Sequence, residues 1–400
     1  MAVKWQITHV SAAPSYCGCR GASLRITVLA IAPVIPLIQR DLNMSGTEVG
    51  ILSGLPTLLL ALAAILGAFA MSRFGALSTL IGGLVLVAIG TVSRGAADDV
   101  AVLFITTIVM SIGVAVAQPT LAVLVRDWLP NDIGFGTATY ANGLIVGAII
   151  PISLMIPIVM PLSIDSWRLA IAVWSVPVLL VVGLLLLFAP KTSRNRVLDV
   201  LGRDSWASLD YNLIWRIGLI FGANNGIFFG TNSFLPSYLS SIGRSDLTSL
   251  ALTFYNFAQL PSSLLMIKLA SQVERRVWPY VFAGVLALAS IGVIVSTANS
   301  WIVLASSALG FASGITLTLG LALPPLLSAP SHVGRVSAAM FLLSYTYAMI
   351  VAVCGGVAWD ITGRAGAAFV VIAISILPLL ILVPTIRFGS VRIEKVESNF

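Results

Sequence analysis

The sequence predicts an all-α membrane protein with twelve transmembrane helices in two six-helix bundles. Of the 400 residues, 58% are hydrophobic and only 9% charged, against roughly 25% charged in an ordinary soluble chain. Mean hydropathy is +1.03. Charge-free runs long enough to cross a bilayer follow one another along nearly the whole chain, and the second half repeats features of the first about 200 residues later. Too little polar surface remains to cover a water-facing body, and three cysteines cannot staple a chain of this length. The formal net charge of +7 reads as a topology signal, not as a nucleic-acid footprint.

A helix needs about 20 mostly apolar residues to cross the hydrocarbon, so the spans fall between successive charges. The first is short: residues 26–39 cannot cross alone, and the helix must begin before Arg25. Runs 49–72, 74–93 and 100–125 each hold one span. Run 133–164 holds the fifth, starting near Gly136, and 169–190 the sixth. Runs 217–243 and 247–267 are the seventh and eighth. Run 277–334 is too long for one helix, and Ala298-Asn299-Ser300 divides it into the ninth and tenth. Runs 336–359 and 365–386 complete the set. These segments are apolar all round, unlike the single stripe of a soluble helix, and they lack the two-residue alternation of a membrane barrel.

The bundles are therefore expected at 22–190 and 212–386, joined by a basic linker at 191–211, with tails at 1–21 and 387–400. With the amino terminus inside, sixteen lysines and arginines collect on the cytoplasmic side and five outside. That bias places both termini, the linker and both tails in the cytoplasm, and the membrane expected is a bacterial inner membrane. Trp128, Trp167, Trp278, Trp301 and Trp359 fall at helix ends, where an interfacial belt belongs.

The halves match at a near-constant offset. Pro130-Asn131-Asp132-Ile133-Gly134 with Thr137-Ala138 pairs with Pro330-Ser331-His332-Val333-Gly334 with Ser337-Ala338. Pro36 pairs with Pro236, and Leu55-Pro56-Thr57 with Leu260-Pro261-Ser262. Parallel repeats about an axis along the membrane normal put a solute site at mid-depth between the halves.

Several short stretches carry a family resemblance. Ser23-Leu24-Arg25 followed by Ala32-Pro33-Val34-Ile35-Pro36 resembles the first helix of the cyanate and 2-nitroimidazole transporter branch of the major facilitator superfamily. Gly54-Leu55-Pro56, Val125-Arg126-Asp127-Trp128-Leu129-Pro130, Ala138-Thr139-Tyr140 with Gly143 and Gly147, Trp167-Arg168, Phe234-Leu235-Pro236-Ser237-Tyr238 and Asp360-Ile361-Thr362-Gly363 are similar too. The resemblance implies alternating access by two rocking bundles. The loop Ser72-Arg73-Phe74-Gly75 keeps the superfamily's Arg and Gly but lacks its acid and trailing positive charges. Arg73, Gly75, Arg126 and Arg335, in or beside the inner loops, are the candidates for gating.

Arg25 is the one charge expected deep in the membrane. Eleven residues separate it from Pro36, which places it roughly 16 Å inward. An intramembrane guanidinium is costly and so marks a functional site, unless it snorkels to cytoplasmic headgroups. The repeat places Asn225 opposite it, and Asn225, Phe229 and Asn232 share one helical face. Asn224, Asn225 and Asn232 could fix a small polar solute by hydrogen bonds or tie helices together. Gln118, ahead of Pro119, is a further candidate. Asn142, Asn256, Gln259, Tyr140 and Tyr345 are weaker ones, the two tyrosines being better explained by packing.

No aspartate or glutamate is expected mid-span, and His9 and His332 lie outside the spans, so a titrating side chain of the kind proton coupling needs is missing. No metal-binding spacing, cofactor motif, phosphate loop or catalytic triad is present, and no enzyme activity is expected. The expected function is a monomeric carrier, secondary active or facilitative, of a small polar or anionic solute, cyanate-like or similar, set in lipid; it is either a uniporter or coupled to a proton carried on the solute or to a counter-solute. Efflux of weakly polar toxic compounds such as nitroimidazoles is the alternative, with Phe228 and Phe229 then outweighing Arg25. A non-transporting sensor or scaffold is the reading from another class.

Overall fold

A computed structural model describes residues 22–128, 133–188, 211–273, 275–328 and 332–386. Among the described residues every element is helical. Twelve legs follow in order: α1 (Ala22–Asp41), α2 (Gly46–Ala61 continuing as Ala63–Phe74), α3 (Ala76–Gly95), α4 (Val100–Trp128), α5 (Ile133–Leu154, then a π-turn at Met155–Val159), and α6 (Trp167–Phe188). The second half supplies α7 (Tyr211–Ser241), α8 (Thr248–Phe257 and Gln259–Val273), α9 (Trp278–Ser296), α10 (Trp301–Leu327), α11 (Val333–Thr362) and α12 (Ala367–Thr385). Ten legs are long and apolar enough to cross a membrane, and the bent pair of α2 makes an eleventh. The remaining leg, α8, carries Asn256, Gln259, Ser262, Ser263 and Lys268.

Proline explains most of the breaks. Regular helix stops at Leu29, Val173, Phe257 and Ile374, in each case four residues before Pro33, Pro177, Pro261 or Pro378. A proline has no N–H to offer that carbonyl, and its ring crowds it. α6 and α12 break at the same step of each half, which extends the repeat read from the sequence. α1 reaches full length because it is helical from Ala22. The second span, expected within 49–72, bends by 57° at Leu62, whose N–H bonds the carbonyls of Leu59 and Leu60.

α1 and α7, the first helix of each half, are the most enclosed, with 72% and 78% of their spanning windows buried against 33% for α6. They therefore form the centre, and α6 faces outward. α2 packs on α11 and α5 on α8, pairings that the repeat interchanges. The end that the charge bias assigns to the outside carries the turns 42–45 and 96–99, and here the tips of α1 and α7 meet. Arg40 donates to Ser240 at 3.0 Å and Ser237 to Gln39 at 3.2 Å. Residues 200 apart in sequence thus touch, as they must near an axis relating the halves.

Two expectations need correction. Trp278 and Trp301 are exposed as belt residues should be, but Trp167 is buried, its indole N–H donating to Asp41 at 3.0 Å. Nor is Arg25 the one deep charge, because Arg94 is enclosed as well. Gly75, between α2 and α3, has φ +82° and ψ 158°, a region essentially closed to side-chain-bearing residues. A Cβ there would meet nothing within 4 Å, so the cost of Gly75→Ala is purely conformational, about 1–3 kcal/mol. Thermal unfolding in detergent checks it; an unchanged midpoint would contradict the strained turn.

Candidate solute site

The start of α1 turns Arg25 toward α7. Its guanidinium carbon lies 5.2 Å from the ring centre of Phe228 and 5.6 Å from that of Phe229, inside the range of a cation–π contact. The two rings meet edge to face at 5.0 Å. Leu24, Arg25 and Val28 of α1, Leu60 of α2, Val114 and Gln118 of α4, and Phe229 of α7 line one narrow pocket. Arg25 and Gln118, singled out separately in the sequence, therefore share a site. Its walls are otherwise apolar, and no carboxylate pairs with Arg25 among the described residues. A guanidinium is a planar fork of donors, a glutamine amide both donates and accepts, and a phenylalanine ring offers a flat face.

Tyr345 stands behind Phe229. It is buried, lies 6.3 Å from that ring, and stacks on Phe341 at 6.1 Å. Its contacts are those of packing.

The asparagines of α7 and α8 are all buried and all engaged between or along helices. Asn224 accepts from Ser313 of α10 at 3.0 Å, and Asn225 donates to Ser344 of α11 at 3.2 Å. Asn256 of α8 donates to the Asn232 carbonyl at 2.9 Å, while Asn232 donates to the backbone of Phe228 at 2.8 Å. None of these residues lines the Arg25 pocket. Asn256→Leu is expected to lower folding stability by about 0.6–1.7 kcal/mol, as for other intramembrane amide bonds, and to leave solute affinity unchanged. A loss of affinity at constant stability would instead put the amide in contact with solute. Gln259 is buried where α8 crosses α10, its backbone against Gly314, and Asn142 is exposed on α5. The side chains of Tyr140 and Arg126 lie outside the described residues.

Of the gating candidates, Arg73 is exposed with its guanidinium 5.8 Å from the adjacent Phe74 ring. Arg335 is half-buried at the start of α11, and Gly75 forms the strained turn.

Arg94 is the residue that sequence reasoning missed. It is 1% exposed, and its Nη1 donates to the Thr27 carbonyl at 3.1 Å, close to where α1 loses its regular winding. Its Nε has no hydrogen-bond partner among the described residues. In sequence Arg94 ends a charge-free run just as an interfacial arginine does, so nothing local marks its side chain as folded inward against α1.

The model of the Major Facilitator Superfamily matches residues 21–353. The 2-nitroimidazole transporter of Escherichia coli (strain K12) is 26% identical over 347 residues, covering 83% of each chain. The cyanate transport protein CynX of the same organism is 22% identical over 266 residues, covering 64% of this chain and 66% of its own. Among solved structures, a bacterial homolog of the human lysosomal transporter Spinster, inward-facing and occupied, superposes with a TM-score of 0.75 at 15% identity. It covers 94% of this chain and 95% of its own.

Proposed function

The chain belongs to the Major Facilitator Superfamily and is a transporter, not an enzyme, and from that premise we propose that it carries a small flat solute with one anionic or strongly polar group by alternating access. The observation that carries this reading is the Arg25 guanidinium held over Phe228 and Phe229 in a pocket it shares with Gln118. In this reading Arg25 takes the anionic or acceptor end of the solute and Gln118 fixes its orientation. Phe229, with Leu24, Val28, Leu60 and Val114, covers the apolar remainder. Hydrogen bonds to a charged group contribute about 1.5–3 kcal/mol each, enough to offset part of the cost of keeping a cation in an apolar slot. The asparagines of α7 and α8 hold the wall of the second bundle in place behind Phe228 and Phe229.

Efflux of nitroimidazole-like compounds is the second reading, favoured by the two ring faces beside Arg25. Such a compound has a flat π-face for Phe229 and nitro oxygens for the guanidinium, so it would use the same residues as an anion. Counterflow in proteoliposomes separates the two readings. Saturable exchange of labelled cyanate that 2-nitroimidazole does not inhibit supports the anion carrier. The converse supports efflux of the weakly polar compound. Exchange of neither, nor of other small anions and azoles, overturns the assignment of Arg25 to solute.

A further inference from the structure

The two bundles close on each other along a seam between α2 and α11, and the seam ends in a carboxylate. Gly46, Gly50 and Gly54 recur every fourth residue on one stripe of α2, about 12 Å long. A Cβ at Gly46 would lie 2.9 Å from the Gly356 carbonyl oxygen, and one at Gly50 only 2.3 Å from that of Ala352. At the outer tip of the seam, Asp360 of α11 reaches the amino terminus of α2. The Gly46 N–H donates to its Oδ1 at 2.6 Å and the Thr47 N–H to its Oδ2 at 2.8 Å, and the Thr47 hydroxyl donates to Oδ2 as well.

A helix leaves its first amides without partners inside the helix. Here the Ser45 N–H donates to the Glu48 carboxylate and the Glu48 N–H to the Ser45 hydroxyl, a capping box within α2 itself. The two amides between them, Gly46 and Thr47, are satisfied from the opposite bundle by Asp360. Half of the cap of α2 thus belongs to the other half of the molecule, and it exists only while the outer ends are together. The negative charge also faces the positive end of the α2 dipole.

We infer that Asp360 is the latch of the outer gate: its carboxylate completes the cap of α2 in the outer-closed state and sets how often the carrier opens outward. The glycine seam brings the backbones into contact but holds no charge. Asp360 supplies the charge-assisted hydrogen bonds, which are the stronger kind and which must be exchanged for water when the ends part. Leu60 of the pocket lies fourteen residues along α2 from Gly46, roughly 21 Å below the latch. Opening at Asp360 therefore exposes the path to the pocket from outside.

The test reads distance across the outer end and needs no solute, so its outcome is independent of what the pocket binds. Spin labels at Asp98→Cys and Ser300→Cys, exposed positions on the outer turns of the two halves, report the separation in a full chain whose own cysteines are replaced by serine. Asp360→Asn, nearly isosteric but uncharged, is expected to raise the open-to-closed ratio about tenfold or more, the factor that corresponds to one charged hydrogen bond. Asp360→Ala should raise it at least as far. Thr47→Val, which removes only the hydroxyl donor, gives a smaller shift in the same direction and covers the case in which the Asp360 variants fold poorly. Distance distributions unchanged in Asp360→Asn, or in Thr47→Val where the former does not fold, overturn the latch.

Discussion

Arg25→Ala is expected to lower solute affinity by about ten- to a hundredfold and to reduce saturable counterflow to near background in folded protein. The magnitude follows from losing one or more hydrogen bonds to a charged group, at about 1.5–3 kcal/mol, with each 1.4 kcal/mol worth about tenfold. Folding should survive, because Arg25 is only half-buried and pairs with no carboxylate among the described residues. Removing it forfeits contacts with two phenylalanine rings but strands no buried partner. Arg25→Lys keeps the charge and loses the planar fork and the stacking surface, so it should restore counterflow only in part. Thermal unfolding of each variant, run beside the counterflow assay, separates loss of binding from loss of fold. Counterflow of normal affinity in the alanine variant would remove Arg25 from the solute site.

The second large effect is expected from Gly50→Leu. A Cβ at Gly50 would sit 2.3 Å from a backbone oxygen of α11 and 3.0 Å from the carbonyl carbon that bears it, so no rotamer change can relieve the clash. Overpacking costs about 1–3 kcal/mol or more, and it is felt only while α2 and α11 are together. The open form loses nothing, so the balance shifts toward it by about 5- to 150-fold and counterflow fails for want of outer closure. Gly54→Ala makes the useful comparison. There the Cβ would meet the Met349 sulfur, the far part of a flexible side chain that can swing aside, so transport should fall much less. Equal and near-normal counterflow in Gly50→Leu and Gly54→Ala would show that the seam is not a moving contact.

The site was legible only in part. Arg25 stood out because a charge fifteen residues before the next one, in an apolar run, has few places to go. Gln118 stood out as an isolated amide in such a run, and the structure brings the two into one pocket. The asparagines were equally visible, but what their amides meet was not, since Ser313, Ser344 and Asn256 lie 89, 119 and 24 residues from their partners. Arg94 resembled any arginine at a helix end until the position of α1 was known. Asp360 was visible only as part of the Asp360-Ile361-Thr362-Gly363 stretch, and its partner, 314 residues away, was not.

Taken alone, the chain of residues determined that this protein lives in a membrane, roughly where it crosses, and that its halves repeat. Each of those depends on the cost of placing charge and proline in a helix within hydrocarbon, which adds up locally along the sequence. Only the tertiary structure decided which polar groups turn toward the pocket, which satisfy one another, and which end of the molecule is shut. Those outcomes depend on the rotation and approach of helices far apart in sequence, and backbone contacts such as Gly50 against Ala352 exist only once the helices have packed.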